Sequence, residues 1–103
     1  EAPLYDPALL AWKGKPVAEA KERLSWVKDT LNSANESSFE NAENIKSLVF
    51  DYATEKGRGD VLWPLRVSLS GKDKSPDPFT LLYILGKDES LKRIENAINS
   101  INT

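Results

Sequence analysis

An arginine and a stiff basic loop lie close together in the second half of the chain, and both could contact nucleic acid. Arg66 follows Pro64 by two residues, and the stretch 72–78 holds two lysines and two prolines. A guanidinium is planar and carries several donors, so it suits phosphates and base edges. Two prolines restrict the backbone of a loop and present flat apolar faces. Single-stranded RNA loops are bound by such pairings of stacking surfaces with short polar groups.

Catalytic chemistry is poorly supported by the residue types present. The 103 residues contain neither Cys nor His, which excludes thiolate nucleophiles, disulfides, zinc fingers, His-based triads and most transition-metal sites. The sequence also lacks the glycine-rich loops that cradle nucleotide phosphates. We therefore expect no catalytic residue and no metal site in this chain.

Short motifs elsewhere have simpler explanations than a function. The tripeptide Arg-Gly-Asp at 58–60 matches a cell-adhesion motif, but Gly and Asp are also common in loops between helices. The sequence Asn-Glu-Ser at 35–37 matches a glycosylation site, yet no secretory signal is visible, and a helix cap explains it. Paired acids at 88–89 suit the first turn of a helix, where negative charge is favourable.

The charge distribution is asymmetric, although the net charge is only −2. Residues 1–55 carry six Lys/Arg and ten Asp/Glu, whereas residues 56–103 carry eight and six. A surface that binds a polyanion should therefore lie in the second half, although composition alone favours a solvated face as the explanation of this charge. With 40% hydrophobic residues and no apolar run of about 20 residues, the composition predicts a soluble globular domain without a membrane span.

Apolar residues recur at helical spacing along most of the chain. In the first half, they predict a short helical turn at 9–12, a helix over 16–31, and a second helix that starts from a capping box at Ser37 and Glu40 and ends at Gly57.

The second half predicts three further helices. A short helix over 63–70 would hold Pro64 in its first turn and end at Gly71, and the loop 72–78 would follow. Helices over 79–85 and 88–101 would be separated by Gly86. We therefore predict an all-α domain, a compact bundle or cage of five or six short helices. It would be a single domain over 1–103, with N-terminal helices in 1–55 and C-terminal helices in 56–103 that carry the P-L-R and S-P-D-P segments.

The second half contains four motifs in a characteristic order: G-D-V-L-W-P-L-R-V-S-L-S-G at 59–71, S-P-D-P-F at 75–79, L-G-K-D-E at 85–89 and L-K-R-I at 91–94. In these motifs and their spacing it resembles a known family, the C-terminal anticodon-binding domain of bacterial-type glutamyl-tRNA synthetases. The first half is similar more loosely, through L-A-W-K-G at 10–14, the helix that follows Pro16, and Trp26.

This resemblance implies a helical cage that binds the anticodon loop of glutamate tRNA. By position, the contacts with the middle and first anticodon bases would fall to Arg66, Ser75, Pro76 and Pro78, and the nearby Lys72 and Lys74 could contact phosphates. The family's catalytic motifs, which resemble H-I-G-H and K-M-S-K-S, are absent from the chain. ATP and Mg²⁺ would therefore be bound in a catalytic domain elsewhere in the parent enzyme, a glutamate–tRNA ligase.

The resemblance further implies a cytoplasmic protein whose partners are tRNA and the other synthetase domains, without DNA or membrane. Because the sequence begins with Glu1 rather than Met, we expect it to be a processed or excised piece. The alternative is a helical protein-interaction module that binds no RNA and docks through its acidic first half.

Overall fold

The chain folds into helices and loops in a computed structural model that describes residues 3–101. The α-helices are α1 (Val17–Ser33), α2 (Ala42–Lys56), α3 (Arg58–Ser70) and α4 (Pro78–Ser100), and two short 3-10 helices span Pro7–Leu10 and Glu36–Glu40. The predicted all-α class is confirmed, but five or six helices is slightly too high a count for the α-helices, of which residues 3–101 hold four. Within the same residues, no helix has the length and apolar character needed to cross a membrane.

The start of α2 differs from the prediction. The expected capping box at Ser37 and Glu40 does not form, because this stretch is a 3-10 helix. The chain then turns extended at Asn41, whose side chain accepts a hydrogen bond of 2.8 Å from the backbone N–H of Asn44. Asn41 is an effective cap because its amide oxygen satisfies an N–H that would otherwise lack a partner in the first turn.

Helix α3 begins five residues earlier than predicted, so the predicted place of Pro64 in a first turn is wrong. Pro64 lies in the helix interior and is buried. It cannot donate to the carbonyl of Asp60 four residues before it, and a proline in this position is costly in an isolated helix. Burial of Pro64 in the folded chain offsets that cost. The predicted end at Gly71 is confirmed, with a left-handed φ of 73°.

Helix α4 is interrupted at the predicted place. Gly86 has φ 82° and ψ 169°, values outside the helical range, so the two segments predicted on either side of it are separated by a kink. At the start of α4, the Asp77 carboxylate accepts hydrogen bonds of 3.0 Å from the N–H groups of Phe79 and Thr80. Pro78 then occupies the first helical position, where its missing N–H has no consequence.

Helix α3 is central to the fold and packs against α1, α2 and α4. It buries Val61, Leu65, Val67 and Leu69 completely. The other helices contribute the remainder of one continuous apolar core, which includes Leu24, Leu31, Ile45, Val49, Leu82 and Ile94. Because most of α3 is buried, only a narrow face of this helix reaches the surface, and that face carries Arg66.

Candidate nucleic-acid interface

A groove of about 250 Å³ runs along the exposed face of α3. It lies between the segment after the first 3-10 helix and the start of α4. We call it the Arg66 groove, and its lining residues are Trp12, Arg58, Gly59, Leu62, Trp63, Arg66 and Pro78. The groove therefore combines two guanidinium groups with two indole rings and a proline.

Helix geometry places Trp63 and Arg66 side by side, because residues three apart share one helix face. The Arg66 guanidinium carbon lies 5.4 Å from the Trp63 ring centroid. The indole is held in turn, because its Nε1 donates a 2.8 Å hydrogen bond to the carbonyl of Leu9. Trp12 packs against Trp63 with ring centroids 5.6 Å apart. The wall behind Arg66 is therefore a fixed aromatic surface.

Gly59 allows Trp12 to approach α3. A Cβ atom at this position would overlap the indole of Trp12 at three of its atoms. Gly59 does not have a positive φ, so its backbone conformation does not require glycine. The glycine is needed because it leaves room for the Trp12 side chain.

The Arg66 guanidinium is only lightly engaged by the protein. Its Nη2 donates a long hydrogen bond of 3.4 Å to the backbone carbonyl of Asp73, which places the side chain beside the loop before α4. Its Nε is buried and has no hydrogen-bond partner among residues 3–101, where no carboxylate forms an ion pair with it either. Buried donors normally find a partner, so this one leaves Arg66 with unused hydrogen-bonding capacity.

The structure brings two of the predicted site residues together. Arg66 and Pro78 line the same groove, and Pro78 is largely buried there. Ser75 and Pro76 lie on the adjoining loop, where the Ser75 hydroxyl donates to the Pro76 carbonyl at 3.0 Å and Pro76 is exposed.

The predicted phosphate contacts Lys72 and Lys74 are both exposed on this loop. Neither belongs to the groove lining. These lysines, together with Ser75 and Pro76, therefore form a rim next to Arg66.

Sequence reasoning missed five residues of the groove: Trp12, Arg58, Gly59, Leu62 and Trp63. Arg58 was explained as part of a loop, and α3 was expected to begin after Leu62. The signal was present, because positions 58, 62 and 66 are spaced by four and share a helix face once the helix starts at Arg58. Trp12 gave no comparable signal, since its contact with Trp63 depends on the tertiary fold.

Cations rest on aromatic rings around this groove. Lys13 lies 5.0 Å from the Trp12 ring centroid, and Lys46 and Arg58 each lie 5.0 Å from that of Phe50. With Arg66 on Trp63, these are the four cation–ring contacts of residues 3–101. Among these residues, no carboxylate forms an ion pair with any of the four cations. A cation on a ring keeps its charge and most of its donors, so this surface suits a polyanion with aromatic groups.

Metal binding has no support in the part of the chain that the structure describes. It contains no group of three or more Asp or Glu side chains placed to hold a metal ion. Asp77, the acid next to the groove, is occupied as the cap of α4. Burial alone would raise the pKa of Asp77, but hydrogen bonds from Thr80 and from backbone N–H groups outweigh this effect and lower it.

Comparison with known proteins identifies the family. Residues 1–98 match the family model described as the anticodon binding domain. A glutamate–tRNA ligase from Lachnoclostridium phytofermentans is 34% identical over 106 aligned residues, which cover 100% of this chain and 21% of that protein. The enzyme of the same name from Herpetosiphon aurantiacus is 33% identical over 96% of the chain and 20% of its own length.

A shorter match has a higher identity. The glutamate–tRNA ligase of Clostridium kluyveri is 47% identical over 62 residues, which are 57% of this chain and 13% of that protein. The chain thus spans about a fifth of the relatives that it matches along its whole length. No solved structure matches it significantly.

Proposed function

Because the chain belongs to the anticodon-binding domain family, we propose that it binds the anticodon loop of glutamate tRNA as part of a glutamate–tRNA ligase. Relatives over its whole length carry that enzyme name, and the chain corresponds to about a fifth of them. The single observation that carries the proposal is the Arg66 groove, in which a guanidinium with unused donors lies against an aromatic wall.

In the proposed mechanism, an unstacked anticodon base enters the groove. The guanidinium of Arg66 donates hydrogen bonds to the base edge, while Trp63 keeps the side chain extended behind it. Pro78 offers an apolar face to a neighbouring base, and Ser75 and Pro76 contact the loop from the rim. Base-edge contacts determine the sequence specificity, and phosphate contacts from Lys72 and Lys74 add affinity that does not depend on sequence.

Aminoacylation would take place elsewhere in the parent enzyme. In the proposal, this chain supplies recognition only, and the ligase binds ATP and Mg²⁺ in a separate catalytic domain. The partners of the chain are then the tRNA and the other domains of the same synthetase, in the cytoplasm.

A titration with a labelled anticodon stem-loop tests the proposal. We expect saturable binding to the glutamate stem-loop and weaker binding when its middle or first anticodon base is changed. Few phosphates can be neutralised by so small a basic surface, so the affinity should fall only moderately with salt, at a slope of roughly −0.7 per phosphate contact. Equal affinity for all loops would contradict base recognition, and the absence of any binding would favour the helical protein-interaction module instead.

A further inference from the structure

We propose that a second RNA subsite adjoins the Arg66 groove and that Lys46 and Arg58 there hold the phosphate backbone of the bound loop. The subsite is centred on Phe50 of α2. The inference rests on the proposed function, because it requires RNA in the Arg66 groove. It adds to that function a backbone contact from a helix that carries none of the predicted site residues.

Two depressions of the surface are continuous at this point. Beside the Arg66 groove lies a shallow pocket of about 370 Å³, which we call the Phe50 pocket. Leu62 and Pro78 line both. A strand of RNA that leaves the groove across Pro78 therefore enters the Phe50 pocket.

Two cations from different helices lie against the Phe50 ring, Lys46 in the lining of the Phe50 pocket and Arg58 in the lining of the adjoining Arg66 groove. Lys46 belongs to α2 and Arg58 to the first turn of α3, and each lies 5.0 Å from the centroid of the same Phe50 ring. Their charged groups are therefore no further apart than twice that distance. Some other cations of the fold are neutralised, as Lys15 is by Asp60 and Arg93 by Glu89. Lys46 and Arg58 have no such carboxylate among residues 3–101.

The contact with Phe50 determines which part of a nucleotide fits. Because both cations approach the ring, its faces are poorly available for a stacked base. The ammonium and the exposed guanidinium still present N–H donors to solvent, and phosphate oxygens are their natural acceptors. The site therefore suits the phosphodiester backbone and not a base.

Two carboxylates of the pocket limit where the phosphate can lie. Glu43 stands one turn before Lys46 on α2, and Asp77 caps α4 on the far side. Asp77 repels a phosphate at the start of α4, and Glu43 repels one beside the first turn of α2. A phosphate is attracted instead to the space between Lys46, which lines the pocket, and Arg58, which lines the groove.

Charge neutralisation of the two cations provides the test, with stem-loop binding measured over a range of salt concentrations. We expect Lys46→Gln and Arg58→Gln each to weaken binding about two- to fivefold, the range of an exposed ion pair. The loss should be equal for the native loop and for a loop with a changed anticodon base. The salt slope should become shallower by roughly 0.7 for each phosphate contact removed. The matched control is Lys92→Gln, an exposed lysine after Gly86 that lines neither depression.

Neutral methylphosphonate linkages, placed one at a time in the stem-loop, show whether a phosphate is the ligand. One linkage should weaken binding to the wild-type chain and have no effect on the Lys46→Gln, Arg58→Gln double variant. If the wild-type chain binds with base preference but both single variants match Lys92→Gln in affinity and slope, the Phe50 subsite is wrong and the proposed function stands. If the wild-type chain shows no binding, both proposals fail together. Melting temperatures identify any variant that is misfolded, and Arg58→Lys, which keeps the charge, should restore the salt slope.

Discussion

Replacement of Arg66 by Ala should separate recognition from stability. The substitution removes a cation–ring contact with Trp63, which is worth about 0.5–1 kcal/mol at an exposed site. It also removes a hydrogen bond to the Asp73 carbonyl, which is weak because of its 3.4 Å length. The substitution also removes a buried Nε that has no partner, which favours the variant. The net change in unfolding free energy should therefore be no more than about 1 kcal/mol, or about 4–8 °C in melting temperature for a domain of this size.

Recognition should suffer more than stability. A lost base-specific arginine contact costs about 1–3 kcal/mol, which corresponds to about 5–150-fold in discrimination between the native anticodon and one changed at its middle or first base. The assay is competition between the two labelled stem-loops for wild type, Arg66→Ala and Arg66→Lys. Arg66→Lys keeps the charge but lacks the planar fork of donors, so it should recover affinity but not discrimination.

Lys74→Ala is the matched control, because Lys74 is exposed on the rim and can offer only a phosphate contact. Its loss should weaken binding to both stem-loops by the same factor. The assignment of Arg66 to base recognition would be refuted if Arg66→Ala kept the discrimination ratio of the wild type, whatever its melting temperature. Arg66 would then be a structural residue that anchors the loop through Asp73.

Substitutions at three further positions test the fold around the groove. Gly59→Ala should displace Trp12, and this overpacking should lower the free energy of unfolding by about 1–3 kcal/mol. The higher helix propensity of Ala should offset about 1 kcal/mol of that loss. Unchanged stem-loop binding would show that Trp12 does not shape the groove. Leu65→Ala should lower the free energy of unfolding in urea by about 2–5 kcal/mol, because this side chain is fully buried on the central helix. Asp77 has a lowered pKa, so the stability that it contributes is present above its unfolded-state pKa and is lost as the pH falls through the lower folded-state value. Asp77→Asn should therefore flatten the acid side of the melting-temperature profile, and Asp77→Ala should also cost about 1 kcal/mol at neutral pH.

Local sequence patterns were sufficient to predict the helices that have a regular apolar stripe or a glycine at their end. Helix α1 was predicted over 16–31 and spans Val17–Ser33, because one apolar stripe determines its buried face. The break at Gly86 was predicted because proline is common at the first position of a helix, as Pro78 is here, and glycine is common just after its end.

The start of α3 was predicted wrongly for a physical reason. Pro64 disfavours a helix interior locally, and only its burial against the core makes that position acceptable. Likewise, two candidate caps lay within a few residues, and Asn41 was used where Ser37 had been expected. Two possible helix starts can differ little in local energy. Tertiary packing then decides between them, and local sequence does not contain that energy.

The candidate site was predictable only in part, for the same reason. Residue chemistry was sufficient to select Arg66 and the neighbouring prolines. The wall behind Arg66 depends on Trp12, which is 51 positions from Trp63 and meets it only in the folded chain. The contribution of α2 depends on Phe50, which the sequence presents as one more apolar residue of a buried helix.

The folded arrangement also explains how a chain of net charge −2 can offer a basic surface. Several of its acids are neutralised by neighbours away from the Arg66 groove, among them Glu89 by Arg93 and Glu95 by Lys28. Lys46, Arg58 and Arg66 instead rest on aromatic rings and keep their charge. Exposed charges further than about 8 Å away are largely screened at physiological salt. An approaching RNA loop therefore meets these cations rather than the net charge of the chain, and its affinity depends on which cations the fold leaves unpaired.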